Sequence, residues 1–504
     1  MSASHRSTVA PRSRSSDTAS RSALASLRWN IAGSVVVVLL QLCYTAYTAR
    51  AVDPRSYGAY AIALTVVPFF GYLANAGLSA CVLRAERLTF PFVRAARRLG
   101  MMSGTLCFLL VEAVAPVFGA LFHMPDLTVM VRLLGCVFLM QPSVSVIVTA
   151  MRRVGAARVA VMAESVGQAV GVATAAVLLA WGWSPFALAL AQPVAAATAL
   201  SMGTVWVARR PLPPGPPVRG RDLLAPSGFM TTHSLGQFVA NNIPLWAAGR
   251  LLGPGAVGSY SRASLFTGLL LTFFYQGLNW AVTPLLAERR AKGLLLGRAV
   301  ERTLCAASAV AFIGFGITAG IGPAVLRLLL GPGWASAVAI VPALSAGAAM
   351  TLLCYCGGAI DQVRDAPRAL VGTLMATVAA TVVGVGLAVF ERSLLLVAGA
   401  AAAGQVVGHL VQLVAWHRAG LLHAGAALRI HGVHAAVGAA LGAAAAMGSS
   451  ARSAAAALAY GLILMLPVVL VCVLVRTWIP VYATAVATGL LRDRKSLRPF
   501  QRGH

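Results

Sequence analysis

The stretch Ala49-Arg50-Ala51-Val52-Asp53-Pro54-Arg55-Ser56-Tyr57-Gly58-Ala59-Tyr60 sits between two long apolar runs. Two hundred residues on, Gly249-Arg250-Leu251-Leu252-Gly253-Pro254-Gly255-Ala256-Val257-Gly258-Ser259-Tyr260 repeats it, with Arg, Pro, Gly and Tyr at the same spacing. A recurrence at fixed offset marks two like halves in one chain. An even number of apolar runs separates the copies, so both halves keep one orientation. That is a parallel repeat about an axis along a membrane normal.

Working outward, a spanning helix needs about 20 mostly apolar residues. Runs that qualify begin near Asn30, Tyr57, Leu99, Leu127, Val159, Pro185, Ser227, Gly258, Thr303, Trp334, Arg368, Leu394, Ile430 and Ala454. The expected fold is all-α integral membrane, with about 14 transmembrane helices. Two six-helix lobes, 29–208 and 225–418, form the repeat. A linker at 209–224 joins them, and a further helix pair at 419–480 falls outside the pattern. Basic tails at 1–28 and 481–504 complete the chain. Pro68, Pro142, Pro244 and Pro284 are expected to break or bend their helices.

Charge orients these spans. Of 40 Lys and Arg residues, 32 fall in the tails and alternate loops on one side and 8 on the other. Basic loops stay in the cytoplasm, so both termini are expected there. The same asymmetry accounts for the net charge of +27 without a nucleic-acid partner. Arginine outnumbers lysine so heavily that only Lys292 and Lys495 are lysines, which points to a GC-rich bacterial genome and an inner-membrane location.

Charged residues make up 11% of the chain against 59% hydrophobic, where a soluble domain carries roughly a quarter charged. The eight cysteines form no C-x-x-C pair and read as small buried hydrophobes. No G-x-x-x-x-G-K-[ST] is present, so ATP hydrolysis by this chain is not expected. Every expected outer loop is short, unlike that of a polysaccharide polymerase. No enzyme activity, metal or cofactor is expected. His431 and His434 have no Cys or acidic neighbour in sequence that would make them a metal site.

The twin motif also carries a resemblance. Arg50, Pro54 and Tyr57-Gly58-Ala59-Tyr60, with Asn241-Asn242, Gly258-Ser259-Tyr260-Ser261-Arg262-Ala263, Pro284-Leu285 and Leu329-Leu330-Gly331-Pro332-Gly333-Trp334, resemble the polysaccharide flippase (Wzx-like) family. That family lies in the MOP superfamily with lipid II flippases and multidrug (MATE) antiporters, and the resemblance covers roughly residues 25–420. It implies movement of a polyprenyl-pyrophosphate-linked oligosaccharide from the inner to the outer leaflet by alternating access. Glycosyltransferases or a polymerase of the same pathway would be partners. The acidic residue usual in that family's seventh span stands here as Asn242. A drug or metabolite antiporter and a non-transporting envelope scaffold are the alternatives.

A flippase needs cationic groups for pyrophosphate, and the planar, permanently charged arginine fork suits that role. The candidates are Arg28, Arg50, Arg132, Arg250 and Arg262, with Asn242 as a polar contact. For Arg50 and Arg250 a second reading stands, snorkelling or capping at the interface. Glu112 and Glu164 lie inside spans, where a carboxylate is costly and faces the protein interior. They are candidates for ion coupling, or else for hydrogen bonds across a helix interface.

Overall fold

Each backbone N–H and C=O inside a bilayer must find its partner within the protein, and helices satisfy that need locally. The computed structural model describes residues 40–474, apart from 42, 76–77, 86–87, 210–212, 217–227, 294–295 and 449–452. Both tails, Arg28 and much of the linker lie outside the described residues. Among the described residues every regular element is helical, and ten helical stretches are long and apolar enough to cross a membrane.

Helical residues 43–51 are α1. There follow α2 (Pro54–Asn75), α3 (Leu78–Arg84), α4 (Phe90–Phe122), α5 (Pro125–Gly135), α6 (Gln141–Arg153), α7 (Ala157–Ala180) and α8 (Phe186–Arg209). Beyond the linker come α9 (Gly228–Leu251), α10 (Pro254–Ala291), α11 (Gly297–Ala309), α12 (Phe315–Leu330), α13 (Ala335–Val363), α14 (Pro367–Phe390), α15 (Leu394–Arg418), α16 (Ala424–Met447) and α17 (Ala454–Leu474). Pro68, Pro244 and Pro284 lie inside helices that run on through them. The interruption falls at Pro142. It occupies the first turn of α6, after a 3-10 turn at Cys136–Leu139.

Two compact units emerge, one of 70–116 and 129–227 and the other of 45–69, 117–128 and 228 onward. In unit one, Leu78 and Val82 of α3 pack with Val93 and Ala96 of α4 and Val146 and Ala150 of α6. There α7 and α8 meet through Gly167 and Gly171 against the carbonyls of Ala195 and Ala191. Lipid supplies no hydrophobic drive between spans, so small residues that admit close backbone contact do the joining.

Unit two has its core around α13, with Leu304, Phe315, Leu352, Leu353, Ile360 and Trp416 at its centre. A π-helical turn, Val310–Gly314, links α11 to α12. α16 lies against it so closely that a Cβ on Gly438 would sit 2.1 Å from the Phe312 carbonyl oxygen. Residues 45–69 belong to this unit, which brings the first copy of the motif beside the second.

Candidate functional site

The two motif copies build one structure. Pro54 opens α2 and Pro254 opens α10, each at a first turn where the missing N–H has no helical partner to lose. Asp53 caps α2, its Oδ1 accepting from the Arg55 N–H at 2.8 Å and the Ser56 N–H at 3.0 Å. One turn in, the helices cross. A Cβ on Gly58 would lie 2.0 Å from the Pro254 carbonyl oxygen, and one on Gly258 would lie 2.0 Å from that of Pro54. Only glycine allows this mutual approach, and it occurs twice, symmetrically, at the 200-residue offset.

Arg262 lies one turn deeper in α10, and only 2% of it is exposed. Its guanidinium stacks 3.7 Å from the Tyr57 ring centroid and 5.4 Å from that of Trp334. Nη2 donates to Thr48 Oγ1 at 2.7 Å, while Nε is buried without a hydrogen-bond partner. Trp334 Nε1 donates to the Ala49 carbonyl at 2.9 Å. Tyr57 meets Trp334 edge-on, with centroids 6.0 Å apart. The cation therefore joins α1, α2 and α10 to the start of α13. A buried charge without a counter-ion is costly, and desolvated cation–π contact offsets part of that cost.

The other candidates are distributed. Arg50 and Arg250 are both exposed, at equivalent places beside the crossing. Near the second copy, a cleft of about 370 Å³ is lined by Ser259, Ser336 and Arg392 among others. Asn242 donates back to the Phe238 carbonyl of its own helix at 2.8 Å. Its neighbour Asn241 makes the connections between helices. It donates to Tyr355 Oη at 2.9 Å and accepts from Gln405 Nε2 at 3.3 Å, tying α9 to α13 and α15.

In unit one Glu112 and Glu164 each have an arginine. Glu112 on α4 pairs with Arg132 on α5 at 3.3 Å, and Glu164 on α7 pairs with Arg152 on α6 at 2.6 Å. Arg132 is thus a partner of Glu112 rather than an isolated cation. Asp361 on α13 escaped the sequence reading because it lies at a helix end beside basic residues. It is fully buried, accepting from Trp416 Nε1 at 2.9 Å and from Arg364 at 3.1 Å.

The family model described as polysaccharide biosynthesis protein matches residues 48–339, which takes in both motif copies. The chain belongs to the polysaccharide biosynthesis protein family. Its relatives include the succinoglycan biosynthesis transport protein ExoT of Rhizobium meliloti (strain 1021). The two are 26% identical over 77% of this chain and 75% of that protein. In fold, this family member resembles the lipid II flippase MurJ in its inward closed conformation. The TM-score is 0.65 at 10% identity, covering 93% of this chain and all of that one. It also resembles an inward-facing multidrug resistance MATE transporter of the MOP superfamily. There the TM-score is 0.57 at 16% identity, covering 76% and 94% of the two chains. The fold is that of MOP-superfamily transporters, and the protein is a multi-pass membrane protein of polysaccharide biosynthesis.

Proposed function

We propose that this protein flips a polyprenyl-pyrophosphate-linked oligosaccharide across a bacterial inner membrane by alternating access, with both termini in the cytoplasm. The reading rests on one conjunction: the polysaccharide biosynthesis family match falls on an all-helical membrane body with the fold of lipid and drug transporters. A relative named as a transport protein for a polysaccharide supports it. So does the charge of the candidate residues, since Arg50 and Arg250 are exposed cations suited to a diphosphate. In this reading they attract the head group, while Arg262 holds the motif crossing closed in this state. Glu112 and Glu164 are candidates for coupling to an ion gradient.

The test is reconstitution in proteoliposomes with a polyprenyl-pyrophosphate oligosaccharide labelled on its sugar. Loss of label accessibility from one leaflet, faster than in protein-free vesicles and slowed by Arg50→Ala with Arg250→Ala, is the expected result. Transport of a cationic drug with no movement of the lipid-linked sugar would favour the antiporter instead.

A further inference from the structure

Three histidines converge inside unit two, one on α15 and two on α16, against a serine on α11 more than 100 residues earlier. His409 on α15 is 3% exposed and His434 on α16 is fully buried. His431, one turn before His434, lies between the other two. His409 Nε2 is 3.2 Å from His431 Nε2, with the rings edge to face. His431 Nδ1 is 2.9 Å from Ser308 Oγ on α11, and His434 Nδ1 is 3.1 Å from the same oxygen. At the other end, His409 Nδ1 is 3.3 Å from Gln412 Oε1. The Gln412 amide in turn lies against the Asp361 carboxylate.

The chemistry of the two ends fixes the direction of the chain. A carboxylate only accepts, so Gln412 turns its NH₂ to Asp361 and its carbonyl oxygen to His409. His409 Nδ1 must then carry hydrogen, which leaves Nε2 of the neutral ring as an acceptor. His431 accordingly donates from Nε2 and accepts at Nδ1 from the Ser308 hydroxyl. Ser308 Oγ accepts from His434 Nδ1–H. This leaves a bare lone pair on His434 Nε2, a buried atom that has no hydrogen-bond partner. Every link is satisfied except the terminal one, and that one is a base. A buried polar atom left unpaired in a native core calls for an explanation.

We propose that this chain is a proton-binding site of the transporter, loaded at His434 Nε2 and discharged onto His409. A proton bonding to His434 Nε2 releases the one on Nδ1 to Ser308 Oγ. The Ser308 hydroxyl proton passes to His431 Nδ1, and the His431 Nε2 proton passes to His409 Nε2. At each step one N–H or O–H bond forms and one breaks. The net change is one added proton, which leaves His409 as an imidazolium. Its charge faces Asp361 through Gln412. Asp361 Oδ1 accepts from Trp416 and pairs with Arg364, while Oδ2 is buried without a hydrogen-bond partner.

Among the described residues the other titratable groups that the packed helices bring to this core include Cys305 on α11, Cys354, Cys356 and Tyr355 on α13, and Tyr275 on α10. None of them is a base at neutral pH. The π-helical turn sets the geometry from the remaining side, with Phe312 meeting the His431 ring edge-on at 5.7 Å. Among the described residues no group of three or more His, Cys, Asp or Glu side chains is placed to hold a metal ion.

The test uses the full-length protein in proteoliposomes on a solid-supported membrane, with no substrate, so its outcome is independent of what is transported. A step from about pH 8 to about pH 6 spans the histidine range and drives a charge-displacement current if protons bind within the membrane. His409→Gln and His431→Gln should each abolish that current. Ser308→Ala removes a single oxygen from the relay between His434 and His431 and should likewise abolish the current. Melting curves check that each variant is folded. An undiminished current in folded His431→Gln or Ser308→Ala overturns the proposal. So does a current lost in Glu112→Gln or Glu164→Gln but intact in the histidine variants. Stoichiometric zinc that survives a chelator in the wild type and is lost in His431→Gln would also overturn it, in favour of a metal site.

Discussion

Arg262 lies 3.7 Å above the Tyr57 ring, and neither residue has a counterpart of its own kind in the other motif copy. Ile62 stands where Arg262 would be in the first copy, and Val257 stands where Tyr57 would be in the second. The repeat has diverged in a complementary way, so that the ring of one copy meets the cation of the other. Removing Arg262 deletes a desolvated cation–π contact of about 2 kcal/mol and a charged hydrogen bond of about 1.5–3 kcal/mol, offset partly by relief of a buried charge. Arg262→Ala is therefore expected to lower the melting temperature and the level in the membrane. Arg262→Lys should recover only part of the loss, because an ammonium cannot stack. An Arg262→Ala protein that melts like the wild type but no longer transports would reassign the residue to substrate.

The crossing itself makes a second prediction. A Cβ at Gly58 or Gly258 meets a backbone carbonyl oxygen, which no rotamer change can move aside. Gly58→Ala and Gly258→Ala should each cost about 1–3 kcal/mol, the usual range for overpacking. Together they should cost less than the sum, because the first already spreads the helices the second would spread. Gly268→Ala, in α10 with open space around it, is the control and should be neutral or slightly stabilising. Thermal unfolding in detergent measures all four. Equal effects at Gly58 and Gly268 would mean the close approach does not matter.

The repeat was legible in the sequence because Arg, Pro, Gly and Tyr recur at one offset, and the apolar runs announced the helices, but nothing in the spacing said that the two copies cross. The residues that act between helices were less legible. Ser308 meets His431 and His434 across 123 and 126 residues, and no local pattern predicts which helix faces which. Glu164 read as a lone intramembrane acid because its partner Arg152 sits on a different helix, at the end of α6. Asn241 and Asn242 are adjacent and chemically identical. Only the rotation of α9 decides that the first bridges helices and the second bonds its own backbone.

Asp53 carries a pH dependence that can be checked outside the spans. Burial pushes its carboxyl up, but hydrogen bonds from the Ser56 hydroxyl and from the Ser56 and Arg55 N–H groups outweigh that and hold it below the usual 3.8. A depressed carboxylate stabilises the fold above its unfolded value, and the contribution is lost as pH falls through the folded one. Asp53→Ala should cost about 1 kcal/mol at neutral pH, as loss of an N-cap does, with the difference from wild type shrinking in acid. Melting temperature against pH reads this directly. A gap that stays constant into strong acid would mean the carboxylate charge is not involved.

The 32-to-8 split of basic residues predicts an orientation with both termini in the cytoplasm. The structure selects the probes. Ser259 is 4% exposed and unsuitable, whereas Arg55 and Leu251 on one side and Pro214 and Lys292 on the other are exposed. In a cysteine-free background, Arg55→Cys and Leu251→Cys should react with an impermeant maleimide on intact cells. Pro214→Cys and Lys292→Cys should react only after lysis. The reverse pattern would invert the topology.

The last two helices make separable contributions. α17 presents Leu462, Leu466 and Leu470 outward, at 49%, 62% and 60% exposure, as a lipid-facing helix does. α16 packs one face inward. His434 is fully buried, and a Cβ on Gly442 would lie 2.4 Å from the Gly316 carbonyl oxygen of α12. Ending the chain after Ala427 removes both helices, strips that face of α12 and deletes two of the three histidines. Such a chain should fail to accumulate. Ending it after Met447 removes only α17 and should leave a folded protein. If the outward face of α17 holds the polyprenyl tail, the Met447-terminated chain should flip short-chain lipid-linked sugars at the wild-type rate and long-chain ones more slowly. Equal rates for both chain lengths would reduce α17 to a helix that aids insertion. A stable, active chain ending at Ala427 would show that the α12–α16 contact is dispensable.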